Sequence, residues 1–334
     1  FQIIAGPLSD KFGRRLITLF SLIIFILASL GCFFSTQFEI FIFFRILQAA
    51  VAAGFLMSRV IIRDITSESE AASMIGYVTM GMSVIPLFAP GFGGLIHMYL
   101  GWPSIFLIMA LLGLFLLYIV FKDLGETKIV KKTTNKKNLK ANFELLRETK
   151  FWGYTLTLAF SAGTFFAFLG GAPYIATKVY NLNSIVSGLV MGFPAAGYFL
   201  GNYLSGRYSK FYGINFMALR GILIVIFGMF ACLIIIVLYK DTPYFFFGFC
   251  SFVGLGNGLI IPNASVGVLS VNENLSGTAG GIGNAIMIGT GAILASLASY
   301  VLENHNSSDY LVLIMLSSGT VSFISLYTLV LRNK

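Results

Sequence analysis

The feature that most limits what this chain can become is a series of long stretches almost free of charge. A helix needs about 20 consecutive apolar residues to cross the hydrocarbon of a bilayer. Ten such stretches run over residues 16–35, 38–60, 71–96, 103–121, 151–177, 184–206, 217–239, 242–270, 275–302 and 309–331. Only the second carries a charge near its middle, Arg45. Residues 1–6, Phe-Gln-Ile-Ile-Ala-Gly, read as the tail of an eleventh. The runs are too long for barrel strands and lack two-residue alternation, whereas helices satisfy their own backbone groups in lipid. The predicted fold is an all-α membrane protein.

Composition closes the main alternatives. Of the 334 residues only 10% are charged, against about 25% in a soluble domain, so a soluble enzyme could not cover its own surface. The formal charge of +9 raises nucleic acid as a partner, but nine of the 22 Lys and Arg lie in 122–150. That clustering orients a membrane protein, and no nucleic-acid partner is expected. Cys32, Cys232 and Cys250 all lie in apolar runs, with neither a metal spacing nor a disulfide framework. No metal site is expected, and the spans hold no convergent acids or histidines of the kind a membrane enzyme needs.

The basic residues also set the topology. One side receives Lys11, Arg14, Arg15, Arg59, Arg63, the nine of 122–150, Arg207, Lys210, Arg220, Arg332 and Lys334. The other receives Lys178 and Lys240. The basic side, with the C-terminus, is expected to be cytoplasmic. The Lys-, Asn- and Thr-rich segment 122–150 is the one clear linker, dividing a bundle over 1–121 from a bundle over 151–334. A weak repeat pairs Leu8-Ser9-Asp10-Lys11-Phe12 with Leu204-Ser205-Gly206-Arg207-Tyr208. If the halves are six-helix repeats, ten complete helices of twelve are present, and two are expected ahead of residue 1.

The densest chemistry lies in Gly6-Pro7-Leu8-Ser9-Asp10-Lys11-Phe12-Gly13-Arg14-Arg15. Two helices must reverse within this string. Gly6 and Gly13 permit close packing and unusual backbone angles. Asp10, an acid at a basic membrane edge, can pair with arginine or cap the positive N-terminus of a neighbouring helix. The string resembles the loop signature of the major facilitator superfamily, G-x-x-x-D-[RK]-x-G-[RK]-[RK]. The resemblance implies a two-bundle transporter in which Asp10, Lys11, Gly13, Arg14 and Arg15 form a gating loop that holds the halves together in the outward-open state.

Arg45 is followed three residues on by Gln48, which shares its helical face. A charge at a helix centre costs about 2.5–3.5 kcal/mol on insertion scales, so a buried guanidinium facing a cavity or a partner is expected. Arg45-Ile46-Leu47-Gln48-Ala49 resembles the superfamily's R-x-x-Q-G signature, with Ala49 in place of glycine. The resemblance implies a role in proton coupling: a guanidinium lowers the pKa of a nearby carboxylate, and moving it away changes that acid's proton affinity. The acid is expected on a helix preceding residue 1.

Gly76 and the run Pro86-Leu87-Phe88-Ala89-Pro90-Gly91-Phe92-Gly93-Gly94 would kink a helix and let it pack tightly. They resemble the antiporter signature of the superfamily at Gly76, Pro90, Gly93 and Gly94, while Ile85 and Ala89 stand where glycines are expected. Arg63-Asp64, Gly101-Trp102 and Leu124-Gly125-Glu126-Thr127 are similar to the bicyclomycin/chloramphenicol-resistance (Bcr/CflA) group of drug:proton antiporters. In the second half, Ser161, Phe165, Phe168, Phe252 and Asn257 are candidate cavity residues for bulky amphipathic compounds.

The expected function is therefore proton-coupled efflux of small hydrophobic or amphipathic molecules by alternating access. It would run as a monomer in the bacterial inner membrane, without a cofactor and driven by the proton gradient. An importer of a small metabolite is the alternative.

Overall fold

A computed structural model describes residues 1–127, 144–238 and 242–332 of the chain. Among these residues there are helices and turns but no strand. Most of the linker, together with Lys240 and Lys334, lies outside the described residues.

The apolar runs become helices close to their expected limits. In chain order these are α1 (Gln2–Phe12), α2 (Arg14–Phe34), α3 (Phe38–Gln48), α4 (Val51–Ile65), α5 (Glu68–Leu100) and α6 (Ser104–Asp123). The second half has α7 (Thr149–Tyr174), α8 (Ser184–Val190), α9 (Gly192–Tyr212), α10 (Ile214–Leu238), α11 (Pro243–Ser270), α12 (Ser276–His305) and α13 (Ser308–Leu326). Among the described residues eight helical stretches are long and apolar enough to cross a membrane, not ten. The two expected spans outside that set are 71–96, contained in α5, and 184–206, which covers α8 and most of α9. Glycine, tyrosine, serine and asparagine dilute the apolar character of α9.

Two expected spans are interrupted. The run 38–60 breaks at Ala49–Ala50 between α3 and α4, where Ala49 N–H bonds Ile46 O and Ala50 N–H bonds Leu47 O. These three-residue bonds tighten the chain into a single 3₁₀-type turn immediately after Gln48. The run 184–206 breaks at Met191, between α8 and α9. By contrast α5 is continuous through Pro86 and Pro90, so these prolines do not end it.

The chain forms two compact units. The first comprises Phe1–Ile65, Ile85–Leu145 and Asn272–Ile282; the second comprises Thr66–Val84, Leu146–Val271 and Gly283–Lys334. Each unit thus takes in the first turns of one long helix from the opposite half of the sequence: α12 in the first, α5 in the second.

In the first unit α2 packs between α4 and α6, with Leu22, Ile26, Leu56, Phe106 and Ala110 buried. In the second, α11 is the central helix, flanked by α7, α9 and α10. Its contact with α9 requires glycine: a Cβ on Gly254 would lie 1.8 Å from Pro194 O, and one on Gly201 would lie 2.2 Å from Leu255 O. Small residues let transmembrane helices approach this closely, because in lipid the gain must come from backbone-to-backbone packing.

Candidate functional site

The first unit contains a buried charge cluster built on the α1–α2 turn. Gly13 ends α1 with φ of +97°, a conformation an L side chain rarely adopts. A Cβ there would also meet Glu126 Oε2 at 2.2 Å. The turn aims Arg14 back under α1, where its side chain is only 1% exposed. Its Nη1 donates to Asp10 Oδ1 at 2.7 Å and to Ser9 Oγ at 2.8 Å. Its Nε donates to Asp64 Oδ2 at 2.9 Å, and its Nη2 donates to Ser276 Oγ at 2.8 Å. One guanidinium therefore joins α1, the end of α4 and the start of α12.

Asp10 completes the cluster. Its Oδ1 also accepts the Gly277 N–H at 3.0 Å, and its Oδ2 accepts the Thr278 N–H and hydroxyl, both at 2.6 Å. The carboxylate thus takes up buried N–H groups at the beginning of α12 that have no acceptor within the helix, where the helix macrodipole is positive. The backbones touch beside it: a Cβ on Gly6 would lie 2.3 Å from Gly277 O. Burying an arginine is costly unless its donors are matched. Here two carboxylates and two hydroxyls match them, and the surplus negative charge is placed at a helix N-terminus.

A second carboxylate repeats this device. Glu126 accepts the Arg14 N–H at 2.8 Å and the Arg15 N–H at 3.3 Å, capping the start of α2. The Arg15 side chain donates to Phe121 O at 2.8 Å, and Arg63 reaches Glu273 at 3.5 Å. Lys11 stays exposed, with its ammonium 5.0 Å from the Phe12 ring centre. Of the expected gating residues, Gly6, Asp10, Gly13, Arg14 and Arg15 are brought together and Lys11 is not. Asp64 and Glu126 appeared in the sequence only as marks of family resemblance; Ser9, Ser276 and Thr278 carried no signal beyond being small polar residues near helix ends.

Arg45 departs from its expectation. Its side chain is exposed rather than buried. The guanidinium bonds Gln48 Oε1 and lies 5.5 Å from the centre of the Phe106 ring. Gln48, 5% exposed, passes the link inward: its Nε2 donates to Ser29 Oγ at 2.8 Å. Among the described residues Arg45 has no ion pair. The physical reason is the one that buries Arg14: a guanidinium without a carboxylate is held less expensively at a surface than in a core.

Of the antiporter-type residues, Gly76 packs tightly, since a Cβ there would lie 2.7 Å from Gly206 N in the second unit's own core. A Cβ on Gly93 would meet nothing within 4 Å. The side chains of Pro86, Pro90 and Gly94 lie outside the described residues.

Each of the five candidate cavity residues packs against a neighbouring helix, and Phe165 also stacks on Phe168. Ser161 Oγ bonds Ser322 Oγ at 2.7 Å, and Asn257 Nδ2 donates to Thr164 Oγ1 at 3.0 Å, both in packed helix contacts. Phe168 is buried against Phe247, while half-buried Phe165 stacks on Tyr198. Phe252 instead faces α10, where it covers Gly228. An apolar cleft of about 720 Å³ lies in the first unit between α2, α4 and α6, walled by Leu22, Val51, Phe55, Leu116 and Ile119.

Helices long and apolar enough to cross a membrane, joined at one end by a buried charge cluster, define a multi-pass membrane protein. The profile of the Major Facilitator Superfamily matches residues 1–330, and the chain belongs to that superfamily. It is similar to the uncharacterized MFS-type transporter YdgK of Bacillus subtilis, 30% identical over 62% of this chain and 53% of that protein. It is also similar to the bicyclomycin resistance protein homolog of Haemophilus influenzae, 27% identical over 99% of this chain and 84% of that protein. Its fold resembles that of the fucose:proton symporter FucP of Escherichia coli, with a TM-score of 0.79, 14% identity and coverage of 98% of this chain and 86% of that chain.

Proposed function

We propose that the protein exports small hydrophobic or amphipathic molecules by proton-coupled antiport, through alternating access of two bundles, 1–121 and 151–334. In this reading ten membrane-crossing helices belong to the two bundles, in a bacterial inner membrane with the C-terminus in the cytoplasm. The protein acts as a monomer and needs no cofactor beyond the proton gradient. The observation that carries the reading is the Asp10–Arg14 cluster clamped onto the start of α12. It is a cytoplasmic latch whose release requires Asp10 to leave two backbone N–H groups and Arg14 together. The resistance named in the Haemophilus relative favours export of drug-type compounds over import of a metabolite.

Arg45 and Gln48 are the coupling pair of this reading. An exposed guanidinium tethered to a buried amide is free to exchange its partner as the bundle moves. The residues Gly76, Pro86, Pro90, Gly93 and Gly94 shape the antiporter-type helix, and Ser161, Phe165, Phe168, Phe252 and Asn257 remain substrate-facing candidates.

The test is expression of the gene, with its full reading frame, in an efflux-deficient bacterium, followed by a drug panel with and without a protonophore. Resistance that the protonophore abolishes supports the reading. Drug accumulation raised by expression would replace export with import. Arg45→Ala is expected to abolish proton-coupled export while leaving membrane insertion intact; normal resistance in that variant would remove Arg45 from the mechanism.

A further inference from the structure

The second unit contains an excess of buried acceptors where α9 meets α11. Asn202 and Asn263 are both 0% exposed, and the Oδ1 atom of each has no hydrogen-bond partner. Reversing the amides does not help. Asn202 Nδ2 already donates to Tyr198 O at 2.8 Å, and Asn263 Nδ2 donates to Leu259 O at 2.7 Å and to Ser205 Oγ at 2.9 Å. Flipping either would set a side-chain oxygen against a carbonyl oxygen.

The same turn of α11 contributes a third acceptor. Pro262 lies inside the helix and has no N–H, so the carbonyl four residues earlier, on Gly258, loses its helical donor. Gly258 is in backbone contact with α9: a Cβ there would lie 2.5 Å from Asn202 N and 2.7 Å from Gly201 C. Two buried side-chain oxygens without a partner, and one main-chain oxygen without its helical donor, thus belong to residues along the α9–α11 contact. Leaving a buried acceptor unmet is costly, and freed carbonyls at prolines in membrane helices are commonly met by ordered water.

We propose that this seam is an internal water site, in which water donates to Asn202 Oδ1, Asn263 Oδ1 and the Gly258 carbonyl. The ligand is a donor because both side-chain atoms without a partner are acceptors, and since one water has only two hydrogens, the three acceptors take two waters between them. Water there holds α9 and α11 together at the one place where α11 carries a proline, and lets that turn bend without breaking a protein–protein bond.

X-ray radiolysis of the full-length protein in lipid nanodiscs, in heavy-oxygen water, tests the site directly. Bound water generates radicals in place, so Leu259 and Pro262, both buried, are expected to take up the heavy label in the wild type. The label is expected to fall at least threefold in Asn202→Leu and Asn263→Leu. The melting temperature of each variant is expected to fall, because the leucine strands the water's remaining partners. Absence of label in the wild type, or leucine variants that melt higher, would overturn the proposal, since a dry orphan amide is better replaced by leucine. A melting temperature that drops when sodium chloride is exchanged for choline chloride would also overturn it, by assigning the seam to a metal cation.

Discussion

The turn after α1 and the turn after α9 solve the same problem with opposite chemistry. Both end a helix on a glycine of positive φ, Gly13 at +97° and Gly213 at +78°. Both glycine N–H groups bond the carbonyl of a buried serine four residues back, Ser9 and Ser209. Both preceding helices pack on the first turns of a long helix from the other half of the sequence. In the first unit the contact is ionic and dry, with Asp10 and Arg14 at 8% and 1% exposure. In the second the contact is steric. Gly206 lies against Gly76 and beneath Tyr77, Ser73 bonds the Gly206 carbonyl, and the accompanying ion pair, Lys210 to Glu70 at 2.9 Å, lies open to solvent. If the Asp10–Arg14 cluster is the latch proposed above, it benefits from charges that are strong when buried and self-sufficient when hydrated. A contact that only needs to persist is served by glycine.

This contrast breaks most visibly at Arg14. Arg14→Ala leaves Asp10 and Asp64 buried without their guanidinium, and removing one partner of a buried pair costs about 3–5 kcal/mol. Thermal unfolding of the purified protein is expected to show a clear loss of melting temperature; an unchanged value would mean that the cluster contributes nothing to the folded state. Asp10→Asn keeps the shape but removes the charge facing the α12 N-terminus, at a cost of about 1–3 kcal/mol. Transport is expected to slow without loss of substrate binding, and equal turnover in flux assays would make Asp10 a plain structural residue.

The steric side is probed by placing the acid of the first turn into the second. In Gly206→Asp the new Cβ would meet the Tyr77 ring at 2.8 Å, an overpacking expected to cost about 1–3 kcal/mol. A variant that melts higher than the wild type would show that Tyr77 yields and that glycine is dispensable there. The smallest effect is expected at Glu70. The hydrogen bond from Lys210 holds its carboxyl below the usual carboxylate range. A depressed acid keeps its contribution above its unfolded value and loses it only as the pH falls through the lowered one. Because the pair is open to solvent this contribution is small, so Glu70→Gln is expected to lower the melting temperature only slightly at neutral pH, and the difference is expected to vanish as the pH falls through the lowered value. A loss at neutral pH as large as that of Arg14→Ala would raise this exposed pair to the rank of its buried counterpart.

The two turns also mark how far the sequence can be read. The match of Leu8–Phe12 with Leu204–Tyr208 falls just before two similar turns, but it is offset by 196 residues, whereas Gly13 and Gly213 are offset by 200. The difference is one helical turn, which preserves the face, so a short motif could find the relationship and still miss its register. The glycines and charges of the α1–α2 cluster were legible because charge is rare in such a chain and a glycine beside it marks a turn. Asp64, Glu126 and Ser276 were not, because their meaning depends on which helix end lies next to Arg14. The expectation of a buried Arg45 assigned to one arginine what belongs to another: hydropathy gives depth along a helix but not the direction a side chain takes around it.

The amino-acid order by itself determined that this is a chain of membrane-length helices. An apolar run of about twenty residues crosses lipid as a helix, which pairs its own backbone groups. It also marked the α1–α2 turn, where φ and charge admit few substitutes. Tertiary packing alone decided which guanidinium is buried, which carboxylates meet it, and where α11 is left with acceptors it cannot pair. Each of these depends on helices distant in sequence coming within hydrogen-bond reach. Such contacts are short-ranged and directional, and no periodicity along a single helix encodes them.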